Sequence, residues 1–187
     1  MPNYLANVAG TLLGMGTADL DAVAKLLWRC WRSDRRLFVA GNGGSSATAS
    51  HMCVDLSKGL FVETGKGIDT FCLTDNVPTL TAWANDSRYD LALAQQLLCR
   101  GCEMDYLLVI SGSGNSQNIL SAVETAQQMG MTTITLTGMG GGKLSAMACA
   151  HTVIVPSDSM QVCEDAHSVF AHGLYCALRD RAKAERE

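Results

Sequence analysis

Twice in this sequence a short apolar run empties into glycine and serine, and a helix-forming stretch follows. Leu37-Phe38-Val39-Ala40 leads into Gly41-Asn42-Gly43-Gly44-Ser45-Ser46, and Tyr106-Leu107-Leu108-Val109-Ile110 leads into Ser111-Gly112-Ser113-Gly114-Asn115-Ser116. A buried strand that passes through such a loop into a helix aims free backbone N–H groups and hydroxyls at one spot. That spot suits an anion, most often a phosphate. Neither loop carries Lys or Arg, so the pair suggests a neutral cradle for a phosphorylated small molecule.

The rest of the chain supplies the frame. Residues from about 2 to 14 and 18 to 32 read as two leading helices; in the second, Leu20, Val23, Ala24, Leu27 and Trp31 form an apolar stripe. Strands are expected at Leu37–Ala40, Asp69–Leu73, Tyr106–Ile110, Thr132–Thr137 and Thr152–Val155. Between them fall a helix from Ser45, one from Pro78 to Ala84 capped by Asp75-Asn76, one over Leu91–Cys99, one over Ser116–Met129 ending at Gly130, and a short one over Lys143–Ala148. A long helix from Met160 to Ala182 or beyond closes the chain. Strands that are apolar without alternation, interleaved with helices, mean a parallel sheet covered on both faces. The fold class is α/β: a three-layer αβα sandwich on five parallel strands, one unit spanning residues 1–187 with 1–33 as leading helices. Ligands of such sheets sit beyond the carboxyl ends of the strands, where both loops lie.

Composition narrows the function. A 48% hydrophobic, 17% charged chain of 187 residues folds rather than staying disordered. A formal net charge of −4 argues against nucleic acid and anionic membrane as partners. The cluster Arg29, Arg32, Arg35 and Arg36 reads as a solvated helix end. No apolar run reaches the roughly 18 residues of a membrane span, and the start lacks the basic flank of a secretory signal, so the expected compartment is the cytoplasm. Most of the eight cysteines are scattered through apolar segments as buried thiols; only Cys99 and Cys102 have CxxC spacing, with no second pair to complete a zinc site. Gly41-x-Gly43-x-x-Ser46 lacks the third glycine and the well-placed acid of a dinucleotide fingerprint, and no Walker A Gly-Lys-Ser/Thr occurs.

Ser45, Ser111, Ser113 and Ser116 exceed what helix capping needs, which favours phosphate binding. Of four histidines, His51 lies four residues before Asp55, and Glu164, Ser168 and His172 recur every four residues near the carboxyl terminus. His and carboxylate pairs on one helix face can hold a divalent metal or share proton transfer. His167, three after Glu164, also belongs to that helix; His151 carries no expected role.

Taken together, Gly41-Asn42-Gly43-Gly44-Ser45 with His51 downstream, Ser111-Gly112-Ser113-Gly114-Asn115-Ser116, Thr135-Leu136-Thr137-Gly138 and Gly141-Gly142-Lys143 resemble the sugar-isomerase (SIS) domain family. Within it the chain is most similar, from about residue 18 onward, to the sedoheptulose 7-phosphate (phosphoheptose) isomerases. The resemblance implies a flavodoxin-like strand order, a homotetramer or dimer with sites at subunit boundaries, and zinc for several members. It implies interconversion of sedoheptulose 7-phosphate and D-glycero-D-manno-heptose 7-phosphate through an enediol, a step toward bacterial surface heptose. Carried over by position, Ser45, Ser111, Ser113 and Ser116 would bind phosphate, with Gly43 in the first loop, while Asn42 and Asp75 would contact the sugar. His51, Asp55, Glu164 and His172 would hold the metal. Asp55 or Glu164 would be the base and His172 the acid. The chain departs from the family pattern where Asp55 replaces glutamate, Glu164 replaces glutamine, Val162-Cys163-Glu164-Asp165 replaces Arg-Ile-Gln-Glu, and Gly112 replaces threonine. The alternative is a non-catalytic SIS protein that binds a phosphosugar or associates with a replication initiator; such members typically lack the second histidine, so His172 favours an enzyme.

Overall fold

The computed structural model describes residues 3–185. Five parallel strands, β1 (Arg36–Gly41), β2 (Asp69–Cys72), β3 (Tyr106–Ser111), β4 (Thr132–Thr137) and β5 (His151–Ile154), form one sheet in the order β2-β1-β3-β4-β5. The helices are α1 (Tyr4–Met15), α2 (Ala18–Arg32), α3 (Gly44–Val54), α4 (Leu60–Thr64), α5 (Val77–Asp86), α6 (Ala92–Arg100), α7 (Gln117–Gln128) and α8 (Met160–Ala184). No helix among the described residues is long and apolar enough to cross a membrane.

Alternate residues of the central strands feed two cores. Leu37, Val39, Leu108, Ile110, Ile134 and Leu136 pack under α2, α3 and α8 with Leu27, Met52 and Leu174. Phe38, Ala40, Leu107 and Val109 point the other way, against Leu93, Leu97, Ile119 and Val123 of α6 and α7. Burial on both faces is why these strands read as unbroken apolar runs. The three-layer αβα sandwich and the flavodoxin-like strand order expected from the sequence are what the chain adopts.

Several local expectations are corrected. The helix expected from residue 2 begins at Tyr4, residue 2 lying outside the described residues, as do 1, 186 and 187. Strand β5 spans His151–Ile154 rather than Thr152–Val155. The short helix placed at Lys143–Ala148 is instead a 3₁₀ stretch over Met139–Ala146, interrupted where Gly140, Gly141 and Gly142 all take positive φ. The turn at Asp55–Gly59 is π-helical and leads into α4, and a 3₁₀ turn spans Tyr89–Leu91. Asn76 caps α5 by accepting the Thr79 N–H at 3.0 Å, whereas Asp75 accepts the Ser50 hydroxyl at 3.1 Å. Two arginines of the basic cluster form ion pairs, Arg32 at the end of α2 with Glu185 and Arg36 with Asp105.

Asp105 holds the amino ends of β1 and β3 in step. Its carboxylate, 3% exposed, accepts the backbone N–H groups of Arg36 at 3.1 Å and Cys102 at 3.0 Å and meets the Arg36 guanidinium at 2.9 Å. Removing a buried acceptor leaves its donors unsatisfied. Asp105→Ala is therefore expected to lower unfolding stability by about 2–3 kcal/mol in a urea titration; a loss within about 0.5 kcal/mol, the range of an ordinary surface change, would contradict this role.

Candidate functional site

The chain runs from β1 outward to β2, then returns to lay β3 on the other side of β1, so the order of strands reverses between β1 and β3. Both Gly/Ser loops leave the carboxyl ends of these two neighbouring strands, with Gly41 in register with Ile110. This is the crevice where open α/β sheets take ligands. The first loop turns directly into α3 and the second into α7, so the amino termini of two helices, with their unsatisfied N–H groups, face it.

The serines are not used up as caps. Ser116 occupies the N-cap position of α7 with extended backbone, yet its side chain makes no cap hydrogen bond; the N-cap of α3 is Gly43. Ser45 and Ser111 are each 5% exposed beside the crevice. The second loop is braced from behind by the glycine-rich segment after β4. Gly114 has φ +63°, and a Cβ there would overlap the Gly141 carbonyl. Leu144 N–H donates to Gly114 O at 3.0 Å, and Lys143 N–H to Asn115 Oδ1 at 3.1 Å. At Gly112 a Cβ would overlap the Met160 sulfur, so the thioether at the start of α8 fills the space that a side chain at 112 would need.

Helices α3 and α8 meet along matched positions. Gly44 lies against the Glu164 carboxylate, where a Cβ would come within 2.8 Å of Oε1. Thr48 Oγ1 and Ser168 Oγ are 3.2 Å apart. Next come His51 and Asp55 opposite His172: Asp55 Oδ2 is 3.7 Å from His51 Nε2 and 3.9 Å from His172 Nε2, and the two rings meet edge-on with centroids 5.0 Å apart. Donor atoms of these three residues all lie within 4.8 Å of one another, beside a cleft of about 200 Å³. Both imidazoles are more than half exposed, and the Asp55 side chain is 24% exposed. Asp55 opens the π-helical stretch, a widened turn of a kind frequent at functional sites.

The structure thus brings together three of the four expected metal donors. Glu164 stands apart because its side chain lies at the amino end of α3; eight residues separate it from His172, about 12 Å along a helix axis. A shared face does not imply a shared point. Asp75 falls on the opposite flank of α3, in a separate cleft of about 610 Å³ with Ser50, Cys53, Cys72 and Arg100. Asn42 lies in the crevice, but its amide is bonded to Asn118 and Tyr89. His167 is a core residue: its Nε2 contacts the Thr137 carbonyl at 3.0 Å, and burial holds its pKa below the ordinary imidazole value. His151 pairs with Asp19 at 2.9 Å, away from the site. Sequence reasoning passed over Asn118 and Tyr89. The available signal for Asn118 was a polar residue four before Ala122, on the buried face of α7.

Residues 3–138 match the SIS domain family model. Phosphoheptose isomerase 1 of Campylobacter jejuni is 33% identical over 88% of this chain and 87% of its own length. The phosphoheptose isomerase of Sulfurimonas denitrificans is 37% identical over 82% of this chain and 77% of its own. Among solved structures, a phosphoheptose isomerase from Francisella tularensis superposes with a TM-score of 0.89 at 31% identity, covering 95% of both chains. One from Neisseria gonorrhoeae gives 0.85 at 28%, covering 94% of this chain and 92% of its own. With its serine loops at the strand reversal and matches over most of its length, the chain belongs to the SIS-domain family and, within it, to the phosphoheptose isomerases.

Proposed function

We propose that the chain interconverts sedoheptulose 7-phosphate and D-glycero-D-manno-heptose 7-phosphate. The observation that carries this reading is the run of α3 into the π-helical turn: it starts at the serine crevice and presents His51, about two turns later, and then Asp55 to His172. From Gly44 to His51 is about 10 Å of helix rise, a span that suits an extended sugar held by its phosphate at one end and reacting at the other. Ser45, Ser111, Ser113 and Ser116, with the N–H groups of the two helix termini, hold the phosphate without a fixed positive charge.

The reaction moves one proton between adjacent carbons. A carboxylate removes it from C1 of the open-chain ketose while the carbonyl oxygen at C2 gains a proton, giving a C1–C2 enediol; the C1 hydroxyl then loses its proton as the carboxylate returns one to C2, leaving the aldose. Asp55, which sits between the two imidazoles at the reacting end, is the base this geometry favours; Glu164 lies about two turns back, toward the phosphate. His172, whose Nε2 lies 3.9 Å from Asp55 Oδ2, supplies the acid. Two imidazoles and a carboxylate on His51, Asp55 and His172 are also a donor set suited to Zn²⁺ with a coordination position left open. Zinc bound there would polarise the substrate carbonyl.

Exposure of both imidazoles, and of Phe61, Val62 and Val169 on neighbouring turns of α4 and α8, supports assembly with further copies of the chain, as a dimer or tetramer. Eight free thiols fit a reducing compartment, the cytoplasm.

His172→Gln is expected to lower the isomerisation rate by about 10²–10⁴-fold while leaving phosphosugar affinity within a few-fold. NMR of sedoheptulose 7-phosphate in D₂O reads the step through exchange of the C1 proton, and unchanged exchange in the variant would remove the assigned role. For the metal, calorimetric titration of chelator-treated protein should show one Zn²⁺ per chain, and His51→Ala or Asp55→Ala should abolish it. Uptake unaffected by either substitution would place zinc elsewhere.

A further inference from the structure

The two serine loops are joined by a side-chain contact that the proposed reaction has not used. Asn42, between Gly41 and Gly43 of the first loop, donates from Nδ2 to Asn118 Oδ1 at 2.9 Å, and Asn118 Nδ2 donates back to Asn42 Oδ1 at 2.8 Å. Asn118 lies in the first turn of α7, immediately after the second loop, and is 3% exposed. A third segment joins them: the hydroxyl of Tyr89, in the turn before α6, donates to the same Asn42 Oδ1 at 2.9 Å. The two amides therefore close a ring with one hydrogen bond in each direction, and the Asn42 carbonyl oxygen accepts twice, filling both its lone pairs.

We infer that Asn118, aided by Tyr89, is a positioning residue that clasps the two serine loops at a fixed spacing through the Asn42 amide. The inference rests on the phosphate-cradle reading above. Adjacent parallel strands fix the loops only at their roots, Gly41 beside Ile110. Beyond the strand ends no ladder hydrogen bonds hold Gly43-Gly44-Ser45 relative to Ser113-Gly114-Asn115-Ser116, and these glycine-rich segments are intrinsically pliable. A phosphate bound by hydroxyls from both loops, without a Lys or Arg to tolerate misplacement, depends on that spacing. The amide ring provides it across the gap. Asn42 Oδ1 has no lone pair left for a sugar hydroxyl, while the second Nδ2 hydrogen stays outside the ring.

Two properties of a clasp can be measured with phosphate alone, and a third through turnover. Calorimetric titration of inorganic phosphate into the wild-type chain, Asn118→Ala, Asn42→Ala and the double variant reads the cradle directly. Each single variant should weaken phosphate binding about tenfold, and the double variant no more than either, because one ring is broken once. Tyr89→Phe, at an exposed residue, should weaken it by about twofold to fivefold. With phosphosugar, kcat/KM of Asn118→Ala should fall by up to about 100-fold, as misplacement of a bound end costs rate at the reacting end. A merely structural amide would lower the Tm and leave phosphate affinity of the folded protein unchanged. That result, or losses that multiply in the double variant, would overturn the clasp while leaving the isomerase reading in place. Should Asn118→Ala not fold, Asn118→Asp keeps the size and replaces the donor with an acceptor; wild-type phosphate affinity in that variant overturns the clasp equally. A wild-type chain that binds no phosphate would overturn the cradle and, with it, the clasp built on it.

Discussion

The site depends on one adjacency: β1 and β3 lie side by side although β2 intervenes in the chain. Their parallel register carries two separate glycine- and serine-rich segments to the same height above the sheet. The sheet can hold that adjacency because both faces of these strands are covered by apolar helices, so neither strand has a solvent face about which to slip. At the opposite end the buried Asp105 ties the beginnings of the same two strands together. The reversal in strand order is thus held at its base by a carboxylate and crossed at its top by a pair of amides.

A second relation converts this crevice into a place for chemistry. Helix α3 leaves the crevice and runs against α8, and the side chains facing one another change character along the contact. A carboxylate lies against glycine near the loops, hydroxyls meet in the middle, and imidazoles flank an aspartate farther on. Glycine at 44 leaves room for the Glu164 head group, which a Cβ there would press aside. Anion binding and acid–base groups are consequently arranged along one helix rather than gathered at one point.

Much of this arrangement was legible from residue order. The apolar runs marked the strands because they are buried on both faces, and the Gly/Ser segments marked the crevice because little else explains so many hydroxyls beside flexible backbone. Spacing by four also put His51 with Asp55 and Glu164 with His172 on common faces. What spacing could not supply was height along the axis, and so Glu164 was grouped with donors that lie two turns beyond it. Asp75 was likewise separated by the flank of α3 on which it falls. The π-helical turn at Asp55 has no composition of its own, and the run Gly140-Gly141-Gly142 defeats a helical reading only through its positive φ values. Asn118 was hidden because a buried amide in a helix is recognisable only once its partner, 76 residues away, is known.

The contact between Gly112 and the Met160 sulfur couples two positions far apart in the chain. A Cβ at 112 would overlap that sulfur, so a side chain there requires the flexible thioether to swing away or the residue at 160 to be shorter. The effect of a change at this wall of the crevice therefore depends on what its counterpart at the start of α8 can yield.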